Sequence, residues 1–418
     1  MEVLMSKASY VIKECQICGA TDLVSAAFLG YLPPVNQMHA IGTRPAEQPA
    51  YPAEILLCGK CKLVQLSLVV DPHILFPPEY PYTSGTTRIL RENFAELYAE
   101  ATQRITLDAR TLVVDIGSND GTLLGNFKNG GHPVRGIEPT LMANLANSRG
   151  IPTTMAFFDA ESAAGVAKEC GRARVVTATN VFAHIEHVHE VVDNIIAMLD
   201  ERGVFISESH YLHGLLDTLQ YDTIYHEHLR HYSVESLQYL LSAHALEIFH
   251  VRKIPTHGGS IRVYAAKPGT YPIDPSVAEI LHAERAVPLA VRLAEFRARM
   301  TQSKLQLYRL LSEIKTPQTR IVGIGAPSRA STLIHYVGLD DGILDAVLEV
   351  PGSYKVGKYM PGSLIPVLDE GYLLEKQPEY AVLLSWHIAD ELMPKIRAKG
   401  YRGKFVVPLP EPRVVAEV

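Results

Sequence analysis

The segment Val113–Thr122, with the sequence VVDIGSNDGT, constrains the fold more than any other feature of the chain. Its apolar start predicts a buried strand, and the glycines after it predict a tight loop that leads into a helix. A similar unit, RIVGIGA at Arg320–Ala326, occurs in the last quarter of the chain. Strand–glycine turn–helix units are typical of parallel sheets, so we predict an α/β protein with two Rossmann-like domains.

The chain divides into three segments of different texture. Its 418 residues exceed what one ordinary core holds. Residues 1–78 contain four of the five cysteines and many prolines, and residues 79–272 alternate apolar strands with amphipathic stretches. Residues 273–418 begin with a helical stretch and continue with a second alternating block. We therefore predict three domains with these boundaries.

The alternation in the middle of the chain predicts individual elements. Strands are expected at 111–116, 133–137, 174–179, 202–208 and 261–266. Helices are expected at 88–103, 120–128, 140–149, 186–199 and 233–243, followed by a long helical stretch at about 276–315. Strands that alternate with helices in this way indicate a parallel sheet with helices on both faces.

Composition sets limits on partners and location. The net charge of −6 argues against a nucleic-acid partner, because phosphate binding leaves a basic footprint. Apolar runs of the roughly 20 residues that span a bilayer are missing from the sequence, so no membrane partner is expected. The N-terminus has no apolar signal-peptide core, and we expect a cytoplasmic protein with reduced thiols.

Two CxxC pairs, Cys15 with Cys18 and Cys58 with Cys61, predict a metal site. Each pair places two thiolates on one tight turn, and two such turns give the tetrahedral sulfur site that suits structural Zn²⁺. Gly19 and Gly59 fit the sharp backbone of such turns. The alternatives are four free thiols and a redox-active pair. Cys170 stands alone and is expected to be a buried thiol.

The glycine loop indicates the kind of cofactor. Its spacing is not G-x-G-x-x-G, and Asp120 lies where a pyrophosphate would be repelled. Acidic groups suit a ligand with an ammonium and a sulfonium group, so we predict S-adenosylmethionine. The loop residues predicted to bind it are Asp115, Gly117, Asn119, Asp120 and Gly121.

Later strand ends complete the predicted cofactor site. Glu138 follows the second strand, where a carboxylate accepts both ribose hydroxyls. Phe158 and Asp159 are expected beside the adenine ring. Asn180 follows the fourth strand and is expected near the transferred methyl group, with His184 in the same loop. The alternative ligand for this crevice is a sugar nucleotide or a nicotinamide nucleotide.

Residues 220–232, QYDTIYHEHLRHY, are rich in histidine, tyrosine and acidic side chains. A histidine beside a carboxylate suits general acid–base chemistry near neutral pH, and Tyr225 suits donation to a developing oxyanion. His226 and His228 do not have the His-Glu-x-x-His spacing of a metal site. A second metal site and a purely structural polar network are the alternatives.

These motifs together resemble the nucleotide-linked deoxysugar C-methyltransferases of bacteria. The resemblance rests on the CxxC pairs, the loop at Asp115–Leu124, the run Tyr225–His228 and the motif His257–Ser260, in this order. It implies a small zinc domain, a central class I methyltransferase domain and a C-terminal Rossmann-like domain that binds a nucleotide sugar. The implied substrate is a 4-keto-6-deoxy sugar on a nucleoside diphosphate.

The resemblance also implies residue roles. His228 is expected to remove the proton beside the ketone, at carbon 3, to give an enolate that takes the methyl group. Tyr225 and Glu227 are expected beside it, and His184 and Tyr82 in the same pocket. We further predict substrate contacts from His257 and Arg262.

The C-terminal glycine loop is predicted to bind the diphosphate of the substrate. Ser328 and Arg329 lie at the following helix start, where amides and a guanidinium suit phosphate. A purely structural Rossmann turn is the alternative. Glu349–Pro351 and Ser385–His387 depart from the family's usual Asp-Asn-Pro and Ala-Trp-Asn, which leaves the nucleotide and the sugar open.

Two other functions remain open from the sequence. One is transfer of the methyl group to oxygen or nitrogen of another small molecule, which needs a base but no enolate stabilisation. The other is a non-catalytic scaffold that binds zinc and a nucleotide. By resemblance to three-domain relatives, a monomer is expected.

Overall fold

The computed structural model describes residues 9–76 and 83–416. The strands are β1 Tyr10–Val11, β2 Leu23–Leu32, β3 Tyr51–Cys58, β4 Val64–Leu66, β5 Leu68–Val69, β6 Val113–Ile116, β7 Val134–Ile137, β8 Thr153–Thr154, β9 Ala173–Thr179, β10 Leu199–His210, β11 Arg230–His231, β12 Glu247–Ile254, β13 Ser260–Ala266, β14 Ile321–Ile324, β15 Ala346–Glu349, β16 Val367–Asp369, β17 Tyr380–Leu383, β18 Lys404–Val407 and β19 Arg413–Val415.

The α-helices are α1 Pro72–Leu75, α2 Arg88–Arg104, α3 Thr122–Asn129, α4 Met142–Ser148, α5 Ala160–Cys170, α6 Val188–Met198, α7 Leu212–Asp217, α8 Val234–Ala243, α9 Pro275–Arg285, α10 Leu289–Ile314, α11 Ser328–Val337, α12 Gly371–Lys376 and α13 Ala389–Ala398. Short 3₁₀ turns lie at Ser84–Thr86, Tyr221–Thr223, Thr256–Gly258 and Trp386–Ile388.

The central sheet has seven strands in the order β8-β7-β6-β9-β10-β13-β12. β13 runs antiparallel to β10 and to β12, and the other pairs are parallel. Every residue of β6 is buried, as expected for a parallel strand with helices on both faces. The sheet brings the carboxyl ends of β6, β7, β9 and β10 to one edge, where ligands bind in open α/β folds.

The C-terminal part forms a six-stranded sheet in the order β16-β15-β14-β17-β18-β19, in which β19 alone pairs antiparallel. The predicted α/β fold with two Rossmann-like sheets is thus confirmed. The helical stretch predicted at 276–315 is present and is divided into two helices, α9 and α10. Pro288 lies just before α10, and proline cannot continue a helix from the preceding turn.

The N-terminal part forms a four-stranded antiparallel sheet in the order β11-β4-β3-β2. β2 to β4 come from the N-terminal segment, whereas β11 comes from the histidine-rich segment 220–232. The core of this sheet continues into α7, α10, α11 and the C-terminal sheet. Leu32 of β2, Leu215 of α7, Leu293 of α10 and Ile334 of α11 belong to this one apolar cluster. The three parts therefore pack together around segment 220–232.

Among residues 9–76 and 83–416, none of the helices combines the length and the apolar character that crossing a bilayer requires.

Candidate active site

Four cysteine sulfurs converge at the base of the N-terminal sheet. The Sγ atoms of Cys15, Cys18, Cys58 and Cys61 all lie within 4.8 Å of one another. Cys15 lies 3.4 Å from Cys61, and Cys18 lies 3.4 Å from Cys58, measured between Sγ atoms. Four sulfurs at this spacing fit a tetrahedral zinc ion that keeps no open coordination position.

Each CxxC turn ends on a residue in the left-handed region, which lets the chain reverse sharply. Gly19 has this conformation at the first turn, with φ of 66°, as expected. At the second turn the residue is Lys62 rather than Gly59, with φ of 61°. A Cβ at Gly59 would lie 2.6 Å from Asp22 Oδ2, so that glycine allows a close approach instead. Cys170 is exposed, contrary to expectation.

The glycine loop after β6 has no room for side chains at two positions. Gly117 has φ of 67°, and a Cβ there would lie 2.8 Å from Val181. Gly121 has φ of 76°, and a Cβ there would lie 3.0 Å from Ile151. Both glycines are therefore required by conformation and by space.

The acidic residues of the loop region stabilise its shape. Glu138 accepts hydrogen bonds from the amides of Asn119 and Thr140, each at 3.0 Å. Asp120 is buried and pairs with Arg149 at 2.8 Å. Asp115 is also buried, and desolvation raises its pKa to about 7 although Thr177 donates a hydrogen bond to it at 2.6 Å. The carboxylates thus line and brace this edge of the sheet.

The other predicted cofactor residues lie along the same edge. Asn180 has φ of 57°, and its buried Oδ1 has no hydrogen-bond partner among the described residues. Phe158 is half-buried, and Asp159 caps α5 by accepting from the Ser162 amide at 2.8 Å. An orphaned buried oxygen at the edge, beside glycines without room for a Cβ, fits a polar ligand such as S-adenosylmethionine.

A cluster of histidines and one tyrosine adjoins this edge. The ring of His228 lies 4.2 Å from Tyr225, 4.8 Å from His210 and 5.0 Å from His184, between centroids. His257 lies 5.4 Å from His210. The loop after β9, the end of β10, the turn before β13 and segment 220–232 each supply members. The structure therefore brings His184, Tyr225, His228 and His257 together, as the sequence predicts.

The hydrogen bonds of His228 determine which nitrogen carries its proton. Its Nδ1 lies 2.6 Å from the carbonyl oxygen of Thr223, which can only accept, so Nδ1 donates. Nε2 then keeps the lone pair of the neutral ring. Burial, and to a lesser extent the charges of His257 and Arg329, lower the His228 pKa to about 4, so the ring is neutral at pH 7. Such an imidazole can accept a proton at Nε2.

The N-terminal sheet is bonded to segment 220–232 at several points. Asn36 Nδ2 donates to the buried Glu227 carboxylate at 2.6 Å. β11 pairs with β4, and the Leu66 amide donates to the Leu229 carbonyl at 2.9 Å. Buried Arg230 donates to Gln16 Oε1 at 3.0 Å, beside the first CxxC turn. The zinc-binding part is thus bonded directly to the residues around His228.

Several predicted site residues lie elsewhere or are already engaged. Tyr82 lies outside the described residues. Arg262 is fully buried and donates to Glu208 and Glu100 at 2.5 and 2.7 Å, so we leave it out of the substrate site. Arg329 is also buried and donates to Asp222. Ser328 is the first residue of α11.

Sequence reasoning missed residues whose partners are distant in the chain. His210 ends β10 without any motif around it, and Asn36 is hydrogen-bonded to Glu227 although the two residues are far apart in sequence. Asp222 and Trp386 form a hydrogen bond across the two larger domains. Asp222 lies in the histidine-rich segment 220–232, and its place there is the one sequence feature that could have marked it as a site residue.

Three family profiles match successive parts of the chain. They are described as "Putative zinc binding domain" at residues 15–76, "Methyltransferase domain" at 89–251 and "C-methyltransferase C-terminal domain" at 255–410. The C-methyltransferase NovU of Streptomyces niveus is 33% identical over 410 residues, which cover 97% of this chain and 97% of that protein.

Two solved structures align with less than half of the chain. Magnesium protoporphyrin IX methyltransferase of Synechocystis aligns with a TM-score of 0.31 and 13% identity, over 42% of this chain and 79% of that one. A protein of Pyrococcus horikoshii aligns with a TM-score of 0.35 and 15% identity, over 47% and 98%. Scores this low support no conclusion about the present chain.

The glycine-loop sheet and the profile at 89–251 together define an S-adenosylmethionine-dependent methyltransferase with a structural zinc site. Within that class, the match to NovU over nearly the whole length shows that the chain belongs to the C-methyltransferase family.

Proposed function

We propose that this C-methyltransferase acts on a 4-keto-6-deoxy sugar linked to a nucleoside diphosphate, and methylates the carbon beside the ketone, carbon 3. The observation that carries the proposal is the hydrogen bond from His228 Nδ1 to Thr223, which leaves Nε2 as a base inside a neutral, buried pocket. A carbon acceptor needs such a base, because carbon becomes a nucleophile only after it loses a proton.

The proposed reaction proceeds in two steps, proton removal and methyl transfer. His228 Nε2 takes the proton from the carbon beside the ketone, and the electron pair of that C–H bond forms an enolate. Tyr225 stabilises the enolate oxygen by donating its hydroxyl proton in a hydrogen bond. S-adenosylmethionine, when bound, would supply an electrophilic methyl group on its sulfonium. The enolate carbon would form the new C–C bond to that methyl group while the S–C bond breaks and its electron pair stays with S-adenosylhomocysteine.

The neighbouring histidines fit a neutral polar pocket for the sugar. Burial lowers the pKa of His184 and His210 well below its ordinary value, and it lowers the pKa of His257 to about 4. The buried Nε2 of His257 has no hydrogen-bond partner among the described residues. We propose that His257 and His184 bind hydroxyl or ketone oxygens of the sugar, and that Glu227 orients this side of the pocket.

The cofactor is proposed to lie along the carboxyl edge of β6, β7 and β9. The left-handed backbone at Gly117 and Gly121 shapes the loop on which the cofactor is proposed to lie. Glu138 is proposed to bind its ribose, and the buried, unpartnered Asn180 Oδ1 is proposed as an acceptor near the methyl end. Phe158 and Asp159 are proposed to lie beside the adenine.

We also propose domain limits of 1–78, 79–272 and 273–418, a monomer, and a cytoplasmic location. Four reduced sulfurs at one metal site support a reducing compartment. The net charge of −6 supports the proposal that nucleic acid is not a partner.

The test is a screen of thymidine- and guanosine-diphosphate-linked 4-keto-6-deoxy sugars with S-adenosylmethionine, read by mass spectrometry. One of them should gain a single methyl group. The His228→Asn variant should form no product, yet bind the cofactor with unchanged affinity by calorimetry. His132→Asn, at the amino edge of the sheet, is the matched control and should keep full activity. Near-normal turnover by His228→Asn would refute the proposed base.

A further inference from the structure

Asp222 accepts three hydrogen bonds from the C-terminal domain. Arg329 donates to it from Nε at 2.8 Å and from Nη2 at 2.7 Å, and Trp386 Nε1 donates at 2.7 Å. The Asp222 side chain is fully buried, and that of Arg329 is 7% exposed. The guanidinium also lies 4.9 Å from the centroid of the Trp386 ring. This group of three residues is called the Asp222 clamp below.

The clamp is adjacent to the base in the chain. Asp222 lies in the 3₁₀ turn Tyr221–Thr223, and the carbonyl of Thr223 is the acceptor for His228 Nδ1 at 2.6 Å. A shift of the turn would therefore move the atom that selects the tautomer of His228. The N-terminal sheet contacts other residues of the same segment, because Asn36 donates to Glu227 and β4 pairs with β11.

The clamp also reaches the turn that carries His257. Arg329 Nη2 donates to Gln220 Oε1 at 3.2 Å, and Gln220 Nε2 donates to the Gly258 carbonyl at 2.6 Å. His257 has a left-handed backbone with φ of 55°, which is unusual for a residue other than glycine. One guanidinium is thus bonded directly to the segment of His228 and, through Gln220, to the turn of His257.

Electrostatics make the clamp act as one unit. A buried carboxylate without its partner is strongly destabilised, so Asp222 and Arg329 keep each other in place. Only arginine offers Nε and Nη2 side by side for both oxygens of one carboxylate. Because these two donors already bind Asp222, the guanidinium is poorly placed to bind a diphosphate as well.

We propose that Arg329, together with Asp222 and Trp386, is a positioning residue for His228, and that it is not a phosphate ligand. Docking of the C-terminal domain sets the Thr223 carbonyl and thereby the orientation of the catalytic imidazole. This inference rests on the proposed role of His228 as the base.

The experiment compares Asp222→Asn, Arg329→Lys and Trp386→Phe in the full-length, zinc-loaded protein. Trp386→Phe removes the indole N–H donor and keeps an aromatic ring at this position. It is therefore the variant least able to disturb folding. Arg174→Lys is the control for loss of an arginine–aspartate pair, because Arg174 Nε donates to both oxygens of Asp200, at 2.8 and 3.0 Å, near the amino end of β9. Measured are kcat, the Kd of the sugar nucleotide, and the tautomer of His228 by ¹⁵N spectra of histidine-labelled protein.

The proposal predicts that kcat falls roughly 10- to 100-fold in Asp222→Asn and Arg329→Lys, the range expected for a misplaced catalytic group. The Kd should change by less than about threefold. The double variant Asp222→Asn/Arg329→Lys should have a kcat no lower than that of the slower single variant, since both residues act together. The ¹⁵N signals of His228 are assigned through their loss in His228→Asn. In both variants they should no longer show the Nδ1–H tautomer alone. Trp386→Phe should show a smaller change of the same kind.

Two results would overturn the proposal. One is a weaker Kd with unchanged kcat in Arg329→Lys alone, which identifies a phosphate ligand. The other is an unchanged His228 tautomer in all three variants. The tautomer is measured without substrate, so it decides the positioning role even if no sugar nucleotide is methylated. Absence of turnover in the unmodified enzyme refutes the proposed function instead.

Discussion

Burial sets the protonation of the histidine pocket. Desolvation lowers the pKa of His228 and His257 to about 4 and that of His231 to about 3. These rings stay neutral in the folded protein at pH values where an unfolded chain protonates them. In the proposed mechanism a neutral His228 accepts a proton, and neutral neighbours do not repel the cationic cofactor. The same burial costs stability in acid.

The acid cost of His228 is measurable. Between about pH 6.5 and pH 4 the unfolded state binds a proton at His228 that the folded state does not, so His228 makes stability fall as pH falls. Asp115 acts with the opposite sign, because its folded pKa of about 7 lies above the unfolded value. We therefore compare variants: His228→Asn should lose less unfolding free energy over this range than the unmodified protein, by denaturant titration. His282 is an exposed residue of α9, and His282→Asn should lose as much unfolding free energy as the unmodified protein. Equal pH slopes for all three proteins would contradict the burial argument.

At the scale of elements, the loop between β6 and α3 supports the cofactor site. Its two left-handed glycines bring the backbone close to Val181 and Ile151, and the amide of Asn119 donates to Glu138 at the end of β7. Ser84, in the turn before α2, donates its amide to Asn119 Oδ1 at 2.8 Å. The loop is therefore held from two neighbouring elements and leaves no space for larger residues.

Glycine substitutions separate the loop from the helix that follows it. Gly121→Ala should weaken S-adenosylmethionine binding at least about tenfold, because it adds left-handed strain of roughly 1–2 kcal/mol and a Cβ against Ile151. Gly125→Ala, inside α3 with no atom within 4 Å of the new Cβ, is the control. It should keep cofactor affinity and gain about 0.5–1 kcal/mol of stability. Calorimetry measures both, and equal affinities would contradict the account.

The parts of the fold and of the site that could be predicted are those that short sequence patterns determine. The β6 loop, the CxxC turns and the alternation of strands and helices are read within a few residues, and the structure has them at the expected places. The pairing of β11 with β4, the bond of Asn36 to Glu227 and the Asp222 clamp join residues far apart in the sequence. Arg262 illustrates the limit, since an arginine near a motif looks the same whether it binds substrate or neutralises buried Glu208.

At the scale of the whole molecule, segment 220–232 is where the three parts meet. The zinc-binding sheet bonds Glu227 and β11, the central sheet supplies His184, His210 and His257, and the C-terminal domain binds Asp222. The four cysteines that would hold the zinc ion lie at the end of β3 and in the turns beside it, and β4 pairs with β11 of the segment that carries the proposed base His228. Loss of the metal should therefore reach the active site through β4.

Zinc removal tests this route. Cys58→Ser should lose the bound zinc, lower the unfolding temperature and reduce methyl transfer, because β3 and β4 lose their anchor. Metal content by mass spectrometry and calorimetric unfolding measure these effects. Cys170→Ser changes an exposed thiol outside the cluster and should alter none of them. Full zinc content in Cys58→Ser would show that the four-cysteine site is not the metal site.

Isotope loss at the acceptor carbon tests the central claim most directly. A 4-keto sugar nucleotide deuterated at carbon 3 is incubated with enzyme and S-adenosylmethionine in ordinary water, and the product is weighed by mass spectrometry. Abstraction by His228 predicts that every molecule that gains a methyl group loses one deuterium, and that His228→Asn does neither. A methylated product that retains its deuterium would mean that the methyl group went to oxygen or to another position, and would contradict the account.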